Sequence, residues 1–325
     1  MATIGMIGLG NFGTAIAHVL TSNGHAVIGW DIQKDIVAEI QENHINTRYL
    51  PSITLSPLLQ ATNNLHEVLT DTSLLFVAIP ARYIHGVFAD YVNAIDDNTI
   101  CVNLAKGMDV ERGETAFTIL QNTLPQCHHW VLSGPSIANE FVQGHPTQVV
   151  LAGGDKTTYQ HIAETLNTST FHTQFSDDVL GTEWGGIIKN IYAIGLGLLP
   201  APRAVNTQAM YLNRTLDEMG VIFELLGSHS ASAYALPALG DFLATALSPH
   251  SHNRGLGETV RDNPDHLKNA ITDDYLPEGY YTLQYMLRLA SERDVKLPIA
   301  ESIHAVLHQQ KSSQHIIDIL LSKTL

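Results

Sequence analysis

The sequence predicts an α/β domain of Rossmann type followed by an all-α domain. Three observations support this fold class: apolar runs alternate with helical patterns in the first half, GLGNFG follows the first apolar run, and the strand pattern stops at about residue 180. Strands that alternate with helices are typical of a doubly wound parallel sheet. We therefore expect one domain over residues 1–183 and a helical domain over residues 184–325.

The strands of the first domain are predicted from short, nearly continuous apolar runs, which are typical of strands buried on both faces. These runs are TIGMIG (3–8), AVIGWD (26–31), SLLFVAI (73–79), TICVNLA (99–105), WVLS (130–133) and TQVVLAG (147–153). Between the first two runs, Phe12, Ile16, Val19 and Leu20 recur at helical spacing, and Gly24 stands where a helix would end.

Helical periodicity dominates after residue 180. Apolar side chains recur on one face from Trp184 to Leu198 and again over residues 206–226. Two further helices are predicted within YTLQYMLRLASERD (281–294) and SSQHIIDILLSK (312–323).

Composition excludes several classes of partner. The chain of 325 residues carries a net charge of −15, which disfavours non-specific binding to nucleic acid or to anionic membranes. Cys101 and Cys127 form no CxxC pair, and the histidines show no metal-ligand spacing. No signal peptide and no apolar run of transmembrane length is visible. We expect a reduced, cytoplasmic protein with no metal and no membrane insertion.

The glycine motif is predicted to hold a dinucleotide. Gly8 would permit the tight turn, Gly10 would let a pyrophosphate approach the backbone, and Gly13 would allow close packing of helix on strand. Asp31 ends the second strand, where a carboxylate can accept hydrogen bonds from ribose hydroxyls and repel a 2′-phosphate. NAD(H) is therefore favoured over NADP(H). The alternative is a glycine-rich turn with a solvated aspartate.

Lys189 is the candidate proton donor. Gly185, Lys189, Ala193 and Gly197 are spaced by four, so they share one helical face that carries little but the lysine. Such a face lets another element or a cofactor approach the backbone, and burial lowers the pKa of a lysine and suits it to proton transfer. The alternative is a surface lysine on a helix packed through small residues.

The carboxyl ends of two predicted strands carry further candidates. Lys106 follows TICVNLA, and Gly134, Ser136 and Ala138 follow WVLS, so all four are expected at the same rim of the sheet. A cation there could hold a substrate oxygen. Lys106 could instead be an ordinary loop lysine, and Ser136 could be a helix N-cap.

A polar segment in the second domain, LGDFLATALSPHSHNRGLGE (239–258), would suit a phosphate, which binds amides, hydroxyls and cations near helix starts. A polar loop with helix caps is the alternative. Its candidate residues are Asp241, Thr245, Ser251, His252, Asn253 and Arg254.

Together these segments resemble the bacterial type of NAD(P)-dependent glycerol-3-phosphate dehydrogenase, over almost the whole chain. The motifs follow in family order: GLGNFGTAIA (8–17), HINTRYLP (44–51), VAIPARYI (77–84), NLAKGM (103–108), SGPSIANE (133–140), GGIIKNIYAIGLG (185–197), RTLDEM (214–219), GDFLAT (240–245), SPHSHN (248–253) and PEG (277–279). Many motifs in order are far more specific than one glycine loop.

The resemblance implies a cytoplasmic, homodimeric enzyme that interconverts dihydroxyacetone phosphate and sn-glycerol 3-phosphate with NAD(H) and supplies phospholipid synthesis. It implies catalytic roles for Lys189 as proton donor and acceptor, for Lys106 and for Asp241. The implied cofactor-binding residues are Gly8, Gly10, Asn11, Phe12, Gly13, Asp31, Lys106, Ala138, His252, Pro277 and Glu278. The implied substrate-binding residues are Lys106, Gly134, Ser136, Lys189, Asn190, Asp241, Thr245, Ser251, His252, Asn253 and Arg254.

One departure from the family bears on the substrate. His252 stands where the family has an arginine that binds the substrate phosphate, and imidazole replaces a bidentate guanidinium poorly. Arg254 or protonated His252 could take over this role. Otherwise the chain reduces a different small ketone or 2-hydroxy acid, or is a catalytically weak NAD-binding homologue. LLPAPRAVN (198–206) and YALPALGD (234–241) are also less glycine-rich than their family counterparts.

Overall fold

The computed structural model describes residues 3–201, 204–248, 251–267, 276–308 and 310–322. The chain divides into two compact units, Met1–Val179 and Leu180–Leu325. The strands are β1 (Thr3–Ile7), β2 (Val27–Trp30), β3 (Leu59–Thr62), β4 (Thr72–Val77), β5 (Ile100–Asn103), β6 (Met108–Asp109), β7 (Glu114–Thr115), β8 (His128–Ser133), β9 (Thr147–Ala152) and β10 (Phe171–Ser176). The helices of the first unit are α1 (Asn11–Ser22), α2 (Lys34–Asn43), α3 (Leu65–Leu69), α4 (Ala81–Phe88), α5 (Ala116–Thr123), α6 (Ala138–Phe141) and α7 (Lys156–Leu166).

Helix α8 (Val179–Leu198) begins at the boundary between the units, and the remaining helices belong to the second unit. They are α9 (Val205–Leu225), α10 (Asp241–Leu247), α11 (His252–Asp262), α12 (Glu278–Glu292), α13 (Pro298–Leu307) and α14 (Gln314–Leu321). A 3-10 turn (Ser230–Tyr234) and a π-helical turn (Leu236–Gly240) precede α10. In the part of the chain that the structure describes, no strand follows β10, as the sequence predicts.

An eight-stranded sheet in the order β10-β9-β8-β5-β4-β1-β2-β3 forms the centre of the first unit. Neighbouring strands pair in parallel except at β8 and β9, where Val131 lies opposite Ala152 and Ser133 opposite Val150 in antiparallel register. This pair corrects the prediction of a parallel sheet. The connection between the two strands contains only the one-turn helix α6, whereas a parallel connection is usually made by a full crossover helix.

Side chains of the central strands alternate between two apolar cores, one on each face of the sheet. Met6 and Phe76 pack into a core with α1, α2 and α7, while Ile7 and Val77 pack into a second core with α3, α4 and α5. Burial on both faces explains why these strands are nearly continuous apolar runs in the sequence. The predicted Rossmann-type fold is confirmed, with the carboxyl end of β1 leading directly into the glycine motif.

Helix α8 is deeply buried, since every residue from Gly181 to Leu198 is buried. It begins at Val179, five residues before the predicted apolar face. The predicted helices at 206–226, 281–294 and 312–323 correspond to α9, α12 and α14. Among the described residues, none of the helices is both long enough and apolar enough to cross a membrane.

Candidate active site

The glycine motif forms the turn between β1 and α1. Gly8 has a φ of +95°, which a residue with a side chain rarely adopts, and its N–H donates to the Trp30 carbonyl over 2.8 Å. A Cβ at Gly13 would overlap the Gly8 carbonyl oxygen, whereas a Cβ at Gly10 would meet no described atom within 4 Å. The three glycines therefore have the turn, open-surface and close-packing geometries that the sequence predicts for a dinucleotide loop.

Asp31 is buried at the end of β2, with 7% of its surface exposed. One carboxylate oxygen accepts a hydrogen bond from the Leu9 N–H at 2.8 Å, and the other accepts one from the Gln33 N–H at 2.9 Å. Asp31 is thus an ordered part of the glycine turn. The alternative of a solvated aspartate is wrong.

Two neighbours of the glycines make contacts beyond the turn. The Asn11 side chain donates to the Tyr49 carbonyl at 2.8 Å, so it ties the start of α1 to the HINTRYLP segment. The Phe12 ring packs edge-on against Phe141, and the Lys106 ammonium lies 5.8 Å from the centre of the Phe12 ring.

The rim of the sheet brings Lys106, Gly134 and Ser136 together, as the sequence predicts. The Lys106 ammonium donates to the Gly134 carbonyl at 2.8 Å and to the Ser136 hydroxyl at 3.4 Å, and the Ser136 hydroxyl donates to Gly134 at 3.0 Å. Lys106 is therefore no free loop lysine. Ser136 is also no N-cap, because α6 is preceded by Ile137 and begins at the buried Ala138.

Lys189 lies buried in the second unit, with 8% of its surface exposed. Its ammonium nitrogen is 3.2 Å from the Asp241 carboxylate and donates to the Thr245 hydroxyl at 2.6 Å. Asp241 and Thr245 stand one turn apart on α10, so one helix face supplies both partners. The alternative of a surface lysine is wrong.

The small face of α8 explains how the partners of Lys189 come close. A Cβ at Gly185 would lie 2.9 Å from the backbone nitrogen of Ala238, in the π-helical turn that leads into α10. A Cβ at Gly197 would overlap the Arg254 carbonyl oxygen of α11. Close approach of other elements to this face is thus confirmed, and it places α10 beside Lys189.

Asn253 connects three helices of the second unit. Its amide nitrogen donates to the Asn190 side chain on α8 at 3.0 Å, and its amide oxygen accepts from the Gly279 N–H on α12 at 3.0 Å. Glu278, the first residue of α12, and Pro277, its N-cap, lie directly beside this contact. The predicted residues 190, 253, 277 and 278 are therefore brought together.

The polar segment places its two cations differently. Arg254 donates to the Glu258 carboxylate at 2.8 Å and to the carbonyls of Ala246 and Ser248 at 2.7 and 3.5 Å. His252 is exposed, and its side chain makes no hydrogen bond within the described residues. Ser251 is the N-cap of α11, since its hydroxyl accepts from the Arg254 N–H at 3.2 Å. Residues 249 and 250 of the SPHSHN motif, and residues 202 and 203 of LLPAPRAVN, lie outside the described residues.

Sequence reasoning missed two buried polar groups. Asn46, in HINTRYLP, donates to the Leu9 carbonyl and to the Thr14 hydroxyl, both at 2.9 Å. The motif was the available signal for Asn46, although its role depends on contacts with the glycine loop.

Glu218, in RTLDEM, is the second missed group. It accepts hydrogen bonds from the Tyr192 hydroxyl at 2.9 Å and from the N–H groups of Ile299 and Ala300 at 2.6 and 2.8 Å. Burial raises the pKa of the Glu218 carboxyl to about 7, although these three donors oppose the shift. Among the described residues, no group of three or more His, Cys, Asp or Glu side chains could hold a metal ion.

Comparison with known proteins found matches to both the N-terminal and the C-terminal part of the chain. Residues 3–159 match the family model of the NAD-dependent glycerol-3-phosphate dehydrogenase N-terminus, and residues 178–318 match that of the C-terminus. The curated glycerol-3-phosphate dehydrogenase (NAD(P)+) of Fusobacterium nucleatum is 31% identical, covering 99% of this chain and 97% of its own. That of Pseudomonas fluorescens is 32% identical, covering 98% and 93%.

The solved glycerol-3-phosphate dehydrogenase of Coxiella burnetii has the same fold, with a TM-score of 0.89 at 28% identity and 99% coverage of both chains. That of Saccharomyces cerevisiae, at 20% identity, shares the fold with a TM-score of 0.85 and covers 98% of this chain and 99% of its own. The family models together span both units, and the resemblance stated from the motifs is confirmed. The chain belongs to the NAD-dependent glycerol-3-phosphate dehydrogenase family.

Proposed function

We propose that this protein is an oxidoreductase that interconverts dihydroxyacetone phosphate and sn-glycerol 3-phosphate with NAD(H). The observation that carries the proposal is the buried ammonium of Lys189, held between the carboxylate of Asp241 and the hydroxyl of Thr245. Two curated relatives that are more than 30% identical to this chain, and that it matches over nearly their full length, are named glycerol-3-phosphate dehydrogenase (NAD(P)+).

The glycine turn fits a dinucleotide. The open space at Gly10 leaves room for a pyrophosphate against the backbone, and the N-terminus of α1 faces this turn with its N–H groups. Asp31 would accept hydrogen bonds from the adenosine ribose hydroxyls, and its charge would repel a 2′-phosphate. We therefore propose NAD(H) rather than NADP(H) as the cofactor. Bound NAD(H) would supply the hydride exchanged with C2 of the substrate.

Lys189 would provide the proton that accompanies reduction. Nζ would donate a proton to the C2 oxygen of dihydroxyacetone phosphate, and it would take the proton back when sn-glycerol 3-phosphate is oxidised. Asp241 and Thr245 fix the position of Nζ through an ion pair and a hydrogen bond. We propose that Lys106, together with Gly134 and Ser136, binds substrate oxygens and so assists the reduction.

The substrate phosphate is assigned to the start of α11. Ser251, His252 and Asn253 stand at this helix N-terminus, where N–H groups favour an anion. The imidazole of His252 can donate a hydrogen bond to an anion in either neutral tautomer. Since Arg254 is engaged by Glu258 and two carbonyls, we assign the neighbouring side-chain contact with the phosphate to His252.

The same proposal covers the setting of the enzyme. We propose a cytoplasmic homodimer whose product supplies phospholipid synthesis. The comparisons support glycerol-3-phosphate chemistry and do not support reduction of another ketone or 2-hydroxy acid, nor a catalytically weak homologue.

The test is NADH oxidation with dihydroxyacetone phosphate, compared with unphosphorylated dihydroxyacetone. We expect turnover of the phosphorylated ketone and little of the other. Lys189→Ala should lower kcat by about 10²–10⁴-fold, since it removes the proton donor, while NADH still binds. Lys296→Ala, which changes an exposed lysine of the same unit, is the matched control and should keep kcat unchanged. Turnover by Lys189→Ala equal to that of the unmutated protein would overturn the proposal.

A further inference from the structure

The HINTRYLP motif places one buried side chain against the glycine turn. Asn46 has no exposed surface. The turn that carries it is fixed, because the Asn46 carbonyl accepts from the N–H groups of Leu50 and Tyr49 at 2.8 and 3.2 Å. The side chain of Asn46 therefore has a defined position beneath Leu9, the residue between Gly8 and Gly10.

Both hydrogens of the Asn46 amide are used at this position. One is donated to the Leu9 carbonyl and the other to the Thr14 hydroxyl, and that hydroxyl in turn donates to the Leu9 carbonyl at 2.7 Å. The opposite orientation of the amide would set its oxygen against the Leu9 oxygen, so the donor assignment is fixed by the contacts. The remaining amide oxygen, Oδ1, is buried and has no partner among the described residues.

The unsatisfied oxygen indicates what the residue contributes. A buried acceptor without a partner destabilises the fold, and an apolar side chain at position 46 would avoid that cost. The amide is nevertheless present, and its two donated bonds both end on the Leu9 carbonyl or on the hydroxyl that binds it.

The Leu9 carbonyl matters because it shares a peptide bond with the Gly10 N–H. In a trans peptide, the C=O and the N–H point in opposite directions. Holding the Leu9 oxygen towards Asn46 and Thr14 therefore directs the Gly10 N–H to the other side, and a Cβ at Gly10 finds open space in the described part of the chain. The preceding peptide is fixed as well, since the Leu9 N–H donates to Asp31.

We propose that Asn46 and Thr14 are positioning residues that lock the Leu9–Gly10 peptide so that the Gly10 amide faces the dinucleotide pyrophosphate. This inference rests on the proposed function, because it assumes that the turn binds NAD(H). Neither residue touches the cofactor in this role. Both act on the orientation of a backbone donor, which then needs no rearrangement when the anion binds.

The test compares Thr14→Val, which removes the hydroxyl, with Thr14→Ser, which keeps it. Thr14→Val should raise the Kd for NADH and the KM for NADH by about tenfold, the effect of one lost hydrogen bond to a carbonyl that must stay oriented. The kcat at saturating NADH should stay within about twofold, since Lys189 is unchanged. Thr14→Ser should restore the Kd of the unmutated protein.

Asn46→Asp gives an independent readout. An ionised carboxylate cannot donate to the Leu9 carbonyl, whereas a protonated one can donate a single hydrogen bond. Burial raises the pKa of a carboxyl at this position, so the NADH affinity of Asn46→Asp should recover as the pH falls, while Asn46→Ala should show no such recovery.

The outcomes separate this inference from the proposed function. Absence of NADH binding by the unmutated protein would overturn the proposed function and this inference with it. Normal NADH binding by the unmutated protein and an unchanged Kd in Thr14→Val, even with a lower Tm, would overturn only the positioning role. Equal weakening in Thr14→Val and Thr14→Ser would do the same.

Discussion

Gly257 lies where α11 crosses α8, and a side chain there has no room. A methyl group on Gly257 would lie 2.9 Å from both the Gly197 Cα and the Leu198 nitrogen, and it would overlap the Ile194 carbonyl oxygen. All three are backbone atoms, so Gly257→Ala can be accommodated only if the two helices move apart by about 1 Å. Gly255, two residues earlier on α11, has no described atom within 4 Å of the same methyl position.

The contrast between Gly257 and Gly255 allows the change in the free energy of unfolding to be estimated for each alanine variant. Overpacking costs about 1–3 kcal/mol, and backbone contacts belong at the upper end, while the gain in helix propensity from glycine to alanine offsets about 1 kcal/mol. We expect Gly257→Ala to lose about 2 kcal/mol and Gly255→Ala to gain about 0.5–1 kcal/mol. A difference of about 3 kcal/mol corresponds to about 6–12 °C in Tm for a domain of this size.

The activity should follow the geometry. Asn253 on α11 bonds to Asn190, the neighbour of Lys189, so separation of α11 from α8 strains this contact. A displacement of about 1 Å near the reacting groups can cost about 10²-fold, so Gly257→Ala should lower kcat by at least about tenfold. Thermal melting and steady-state NADH oxidation measure both quantities. A melting temperature for Gly257→Ala equal to or above that of Gly255→Ala would refute the reasoning, as would an unchanged kcat.

Two further predictions concern the glycine turn and the buried carboxylate. Gly10→Ala should raise the Kd for NADH by at least about tenfold with little change in Tm, whereas Gly13→Ala should lower the Tm because its Cβ overlaps the Gly8 carbonyl oxygen. Calorimetry measures the Kd and thermal melting measures the Tm. Normal NADH binding by Gly10→Ala would contradict the assignment of the glycine turn. Because burial raises the pKa of Glu218 from 4.5 to about 7, its protonated form is favoured in the folded state, and the free energy of unfolding should fall by about 3 kcal/mol as the pH rises from about 4.5 to about 7. Denaturant titrations across this range should show that Glu218→Gln loses this decline, and equal slopes in both proteins would refute the assignment.

The sequence predicts the central strands well and the edge strands poorly, for one physical reason. Strands β3 (LQAT) and β10 (FHTQFS) are the two edges of the sheet, and their side chains alternate between buried and exposed or half-buried positions. They therefore lack the continuous apolar runs by which the buried strands are recognised. The antiparallel direction of β9 was missed because an apolar run carries no sign of strand direction.

The candidate residues were predictable singly, but their pairing was not. Lys189 and Asp241 are separated by 52 positions, and they meet because the turn before α10 packs on Gly185. Periodicity shows that Gly185 and Lys189 share a face, yet it does not show which element covers that face. Glu218 was harder still, because two of its partners are backbone N–H groups, which leave no pattern in the sequence.

Arg254 shows most sharply why a sequence leaves alternatives open at this site. Two of its acceptors are the carbonyls of Ala246 and Ser248, and the third is the Glu258 carboxylate one turn along α11. Its charge is already balanced, and releasing it would leave these acceptors without their donor. Within the described part of the chain, the Ser251 hydroxyl accepts from the Arg254 N–H and donates to no group, so its own proton stays available to an anion. We therefore propose Ser251, His252 and the N–H groups that begin α11, rather than the guanidinium beside them, as the binding site of the substrate phosphate.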